Sequence, residues 1–152
     1  MSKIQAIVEE LKNIHDGEAW HGPSLKEILS GVTAGQAAAR PLANAHSIWE
    51  LTLHIEGWEE VFRRRLKGQA IAEPEEGDFP PATESSEEAW NRALRKLDET
   101  HQALIETIAE LPEERLNEIV IGKDYTVDYL LRGLVRHNVY HAGQISLLKK
   151  WG

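Results

Sequence analysis

Apolar residues recur along this chain at spacings of three and four almost from end to end. Ile4, Ile7, Val8, Leu11 and Ile14 mark one face of a first amphipathic helix, because positions three and four apart stack on the same side of a 3.6-residue turn. A polar stretch at 15–22 interrupts it. Pro23 then leads into a short helical piece over Leu25–Leu29, with Ser24 as its cap. Thr33 with Gln36 carries an N-cap signature for a brief turn that ends before Pro41. Ser47 and Glu50 form an S-x-x-E capping box, so a second long helix starts ahead of Leu51 and runs to about Lys67, with Gly68 as its C′ residue.

Residues 69–83 are acidic and rich in Pro and Gly, the composition of a surface loop. A third long helix follows over roughly 86–110, with Trp90, Leu94, Leu97, His101, Leu104 and Ile108 along its inner face, and Leu111-Pro112 breaks it. Thr126 caps a fourth, which continues to 149. Four long helices, additional short helical segments and no alternating strands predict an all-α four-helix bundle, one domain over residues 1–152.

Two of the inner stripes contain histidine where a core residue belongs. On the last helix, Leu130, Leu134, His137, His141, Gln144 and Leu148 recur at spacings of four, three, four, three and four. An HxxxH pair puts two imidazoles on one helix face, with Cβ atoms about 5–6 Å apart, a spacing that lets both nitrogens reach one metal ion. The second long helix carries Leu51, His54, Trp58 and Val61 at spacings of three, four and three. His54, His137 and His141 together supply three imidazoles from two helices, and a catalytic zinc commonly takes three protein ligands and keeps a position open; nickel and iron use imidazole too. The alternative is a set of packed, hydrogen-bonded core histidines. Gly57, Gly133 and Gly143 lie near them in sequence, which reads either as close helix packing or as room for a substrate above the metal.

Composition narrows the picture. The chain has no cysteine, which excludes disulfides, thiolate ligands and a cysteine nucleophile and agrees with a cytoplasmic location. The N-terminal segment includes acidic residues and lacks a long apolar run, so neither a signal peptide nor a membrane span is expected. A net charge of -8 argues against nucleic acid as a partner. The Arg63-Arg64-Arg65 cluster fits the C-terminal end of a helix, where the dipole favours positive charge. No glycine-rich nucleotide loop is present.

The segments S-I-W-E-L-T-L-H-I at 47–55 and G-L-V-R-H-N-V-Y-H-A-G-Q-I at 133–145 resemble the DinB-like superfamily, and W-H-G-P-S at 20–24 is similar to a subgroup of it. The resemblance covers essentially the whole chain. It implies an up-down-down-up four-helix bundle in which His54, His137 and His141 bind Ni2+ or Zn2+ in a cavity, and a homodimer. It also implies a metal-dependent enzyme, among whose relatives are thiol-dependent S-transferases acting on small electrophiles. A metal-dependent hydrolase and a nonenzymatic metal-binding stress-response module stay open beside it.

Other residues are weighed by position. Gln144 shares the face of His137 and His141, where it would bind substrate or orient a metal-bound water, or make a structural hydrogen bond. His21, after Trp20, is a candidate for the cavity mouth. His101 is expected as a core or supporting hydrogen-bonding residue, His46 as part of a capping region, and His15 as ordinary surface. Tyr140 is expected at an interhelix boundary. Glu56, Glu59 and Glu60 are expected on an exposed helical face, while Trp49, Trp58 and Trp90 suit a cavity, an interface or the core.

Overall fold

The computed structural model describes residues 1–151. Its elements are α1 (Lys3–Asp16), α2 (Leu25–Leu29), α3 (Ala34–Ala38), α4 (Ile48–Leu66), α5 (Glu87–Ala109), a 3-10 turn (Glu113–Asn117) and α6 (Val127–Trp151). The boundaries follow local chemistry. Ser2, Ser24, Thr33, Ser47 and Ser86 each accept a hydrogen bond from a backbone N–H in the first turn of the helix they precede. Thr126 does the same for α6, its Oγ1 accepting from Tyr129 N at 3.2 Å. Gly68, with φ of 88°, adopts the left-handed conformation just past the end of α4. The capping box at Ser47 is only half formed: the Glu50 carboxyl turns away to Arg40 and His46.

The long helices form a ring in the order α1, α5, α4, α6, each packed on two neighbours. Their directions follow from cross-helix pairs. Trp49 meets Trp90, Glu56 meets Thr100 and Glu59 meets His101, so α4 and α5 run parallel. His54 meets His137 and Arg65 meets Tyr125 just before α6, so α4 and α6 are antiparallel. His15 meets Asp98 while Lys3 reaches Glu113, so α1 opposes α5. The bundle is therefore up-down-down-up. A parallel α4–α5 pair cannot be joined by a tight turn, and residues 67–86 carry the chain back along the bundle.

Two apolar clusters fill the interior. One joins Leu11, Leu104, Ile108, Leu131 and Leu134; the other joins Ile55, Trp90, Leu97 and Ile145. Trp49 and Trp90 belong to the second, and the Trp90 indole donates to Val32 O at 2.8 Å. Gly57 has a packing reason, since a Cβ there would stand 3.1 Å from Pro74 of the crossover. Gly133 and Gly143 have none within the chain: a Cβ at either meets nothing within 4 Å.

Three expectations are corrected. Glu56 and Glu59 are buried, because α4 is covered by α5, α6 and the crossover on three sides; only Glu60 is partly exposed, paired with Arg63. His15 is buried rather than superficial, with Nε2 2.8 Å from Asp98 and its ring stacked on His101. Tyr140 is exposed, not at a helix boundary. No described helix is long and apolar enough to cross a membrane.

Candidate metal centre

One ring nitrogen from each of His54, His137 and His141 lies within 4.8 Å of the other two. His54 comes from the second turn of α4; His137 and His141 come from successive turns of α6. The antiparallel α4–α6 contact brings them together, with ring centroids 4.5 to 4.9 Å apart. His54 and His141 are buried, and His137 is partly exposed.

Each outer nitrogen has its own acceptor. His54 Nδ1 donates to the Asp78 carbonyl at 2.6 Å, His141 Nδ1 to Gln144 Oε1 at 2.6 Å, and His137 Nδ1 to Asn138 Oδ1 at 3.3 Å. With the proton held on Nδ1, each Nε2 is left with a bare lone pair, the form in which imidazole binds metals. Those of His54 and His137 stand 2.9 Å apart. Nitrogens bound to one tetrahedral zinc at about 2.0–2.1 Å are about 3.3 Å from each other, close to this separation.

The electrostatics agree. Burial, then the neighbouring His141 and His54, push His137 down to about 4. Burial also lowers His54 and His141, against the opposing hydrogen bonds from Asp78 and Gln144. A proton shared among these rings near neutral pH is thus disfavoured, and neutral imidazoles present lone pairs to a cation instead. The donor set fits a divalent metal.

The crossover completes the surroundings. Asp78 Oδ1 accepts from Trp58 Nε1 at 2.7 Å and lies 3.2 Å from His54 Nδ1. Phe79, the next residue, packs on His54. A groove of about 770 Å3 runs beside the crossover and α5, lined by Trp49, Leu53, Pro80, Arg92 and Lys96. None of the three histidines lines it, so the largest concavity described and the donor set are separate features.

Gln144 lies against the histidines and holds one of them. His21 is exposed on the turn bridged by Ala19 and Gly22, with no hydrogen bond or ring contact to the three. His101 makes the expected supporting bond, to Glu59. His46, beyond its place before the α4 cap, bonds Glu50 and stacks on Phe79. Asp78, Phe79 and Asn138 carry no sequence signal for their roles, and Glu59 reads from sequence as an exposed residue, because these contacts depend on where distant segments meet.

Residues 19–145 match the family model of the DinB superfamily. The chain belongs to the DinB superfamily. That span contains all three histidines, the whole of α4, and α6 as far as residue 145. Among curated proteins and solved structures, none matches the chain.

Proposed function

We propose that this DinB-superfamily protein is a metal-dependent enzyme, with Ni2+ or Zn2+ on His54, His137 and His141, that transfers a low-molecular-weight thiol to a small electrophile. The observation that carries the metal reading is the convergence of one ring nitrogen from each of the three histidines, while each Nδ1 has an acceptor. Three protein ligands on one side leave a coordination position for a reactant. Family membership favours thiol transfer over hydrolysis.

A bound divalent ion would supply Lewis acidity, lowering the pKa of a thiol or water at its open position. The protein's own part is orientation and exclusion of water. Asp78 and Gln144 fix two imidazoles, and Phe79 covers His54. The side-chain nitrogen of Gln144 is left free to donate to a substrate while its oxygen serves His141. In the reaction, sulfur bonds to the electrophilic carbon, the leaving group departs with the electron pair of the broken bond, and the thiol proton passes to solvent.

Elemental analysis of protein purified without nickel resin tests the first half, with near-stoichiometric metal expected and none in the His137→Ala/His141→Ala variant. A panel of bacillithiol, mycothiol and glutathione with an electrophilic reporter tests the second. Turnover should require both a thiol and the metal; metal-dependent turnover with water alone would make the protein a hydrolase. The burial of His54 and His141 favours a second reading, a metal-stabilised stress-response module. Stoichiometric metal with no turnover on any reactant would select it.

The assembly we infer is a homodimer through the outer face of α6. Tyr129, Tyr140, Leu147 and Trp151 are exposed there, and Gly133 and Gly143 fall on the same stripe. Exposed apolar side chains around small residues suit close approach of a second helix. Light scattering across a concentration series measures it.

A further inference from the structure

Glu59 is fully buried, at 0% exposure, in a bundle whose other interior contacts are mostly apolar. Burying a carboxyl group is costly unless its partners compensate. One oxygen, Oε1, accepts from Asn138 Nδ2 at 2.7 Å and lies 2.9 Å from His101 Nδ1; Oε2 has no partner. Incomplete compensation at the centre of the fold calls for a reason other than stability.

The reason lies one bond further on. Asn138 is itself buried, and its Oδ1 accepts from the Nδ1 of His137. An amide has two ends of opposite character, and flipping Asn138 would aim its oxygen at the Glu59 oxygen. Glu59 therefore dictates that the oxygen of Asn138 faces His137. That oxygen in turn keeps the His137 proton on Nδ1 and leaves Nε2 bare. The other two ligands need no such arrangement. His54 is held by a backbone carbonyl, which cannot flip, and the Gln144 contact to His141 is short at 2.6 Å. The His137 contact is the longest of the three at 3.3 Å and the most dependent on support from behind.

We propose that Glu59 is a positioning residue that sets the tautomer and orientation of the metal ligand His137 through Asn138. His101 extends the support outward. It holds Glu59 on one side and stacks on His15 at 3.9 Å, with ring planes 6° apart, while His15 is fastened to Asp98. A polar column thus runs from the histidine cluster to the far side of the bundle, where Lys26 bonds Asp98. The inference rests on the metal reading of the three histidines and adds residues outside it.

The test is titration of the metal-free full-length protein with Co2+, followed by its visible absorption, for wild type, Glu59→Leu, Asn138→Leu, the double variant and Glu59→Gln. Glu59→Leu and Asn138→Leu should each bind Co2+ about 10- to 100-fold more weakly and shift the ligand-field bands. Because one acts through the other, the double variant should be no weaker than Asn138→Leu alone. Glu59→Gln keeps an acceptor for Asn138 and should restore both affinity and spectrum, which a purely structural role for the carboxyl would not require. Wild-type affinity and spectrum in folded Glu59→Leu, or additive losses in the double variant, would overturn the inference while leaving the metal site standing. If Glu59→Leu does not fold, Glu59→Met, which also lacks an acceptor for Asn138, takes its place, and wild-type affinity and spectrum there would overturn the inference. A wild-type protein that does not bind Co2+, like His137→Ala, would overturn the metal reading and the inference with it.

Discussion

Phe79 lies flat on His54, with ring centroids 3.9 Å apart and planes parallel, and its ring is also stacked 3.8 Å from His46. The sandwich places a crossover residue against a candidate ligand that comes from α4. Phe79→Ala should open that side of the cluster. Metal release to a chelator, followed by stopped-flow absorption, is expected to quicken several-fold, with a stability loss of about 2 kcal/mol from the half-buried ring.

Acid should weaken the metal-free protein before it reaches the carboxylate range. His137 is held at about 4 in the fold against an ordinary 6.5, chiefly by burial. His15, His54 and His141 are lowered too, again first by burial. A group with a lowered folded pKa binds fewer protons folded than unfolded. Its stability contribution is present above about 6.5 and is lost as the pH falls through the folded value. Each such group contributes a slope of up to about 1.4 kcal/mol per pH unit in that window. Glu56, raised by burial, acts in the opposite direction as it protonates. Urea unfolding of chelator-treated protein at pH 7, 6 and 5 should show a steady fall in midpoint. Added metal should restore it most fully at the upper end, where protons compete least.

Metal removal gives a further expected outcome. A ligand that binds only the folded state at one hundred times its Kd adds about 2.7 kcal/mol. Thermal unfolding of wild type should therefore shift upward with Zn2+ and back with chelator, and His54→Ala should show no shift in either direction.

Arg65 is buried and ties the crossover to α4. Its guanidinium donates to the carbonyls of Ile71 and Ala72 at 2.9 Å and to the Tyr125 hydroxyl at 3.2 Å, and lies near the rings of Trp58 and Phe62. Arg65→Met keeps the apolar stem and orphans the two carbonyls. A loss of about 2–3 kcal/mol is expected, together with faster limited proteolysis between residues 69 and 86, read by mass spectrometry.

Gly143→Ala separates subunit from assembly. Within the subunit the new methyl meets nothing, so helix propensity alone should raise stability by about 0.5–1 kcal/mol. Across a close α6–α6 interface the same methyl would hold the backbones apart, and light scattering should show a weaker dimer. Unchanged association with the stability gain would place the interface elsewhere.

The periodicity of apolar residues was enough to place the long helices and to set His54, His137 and His141 on inward stripes, because both are local properties of a helix. Burial of Glu56 and Glu59 was not legible in the same way. On an isolated α4 they fall on the polar side, and only the crossover folding back, with α5 and α6, turns that side into interior. His15 reads as the start of a polar stretch until α5 supplies His101 and Asp98 as its partners. The acceptor for His54 is a backbone carbonyl 24 positions away, for which no side-chain pattern exists.

The connection between the parallel helices has a length that reach alone does not demand. The 19 residues of α4 rise about 28 Å, whereas the 20 residues at 67–86 can span about 66 Å when extended. The surplus is spent in the bend that lays Asp78 and Phe79 against His54. Connection length is therefore a tuning variable for the centre. Shortening the segment could leave the topology intact and still strip His54 of its acceptor, so relatives with shorter returns would need another donor-orienting group at that ligand.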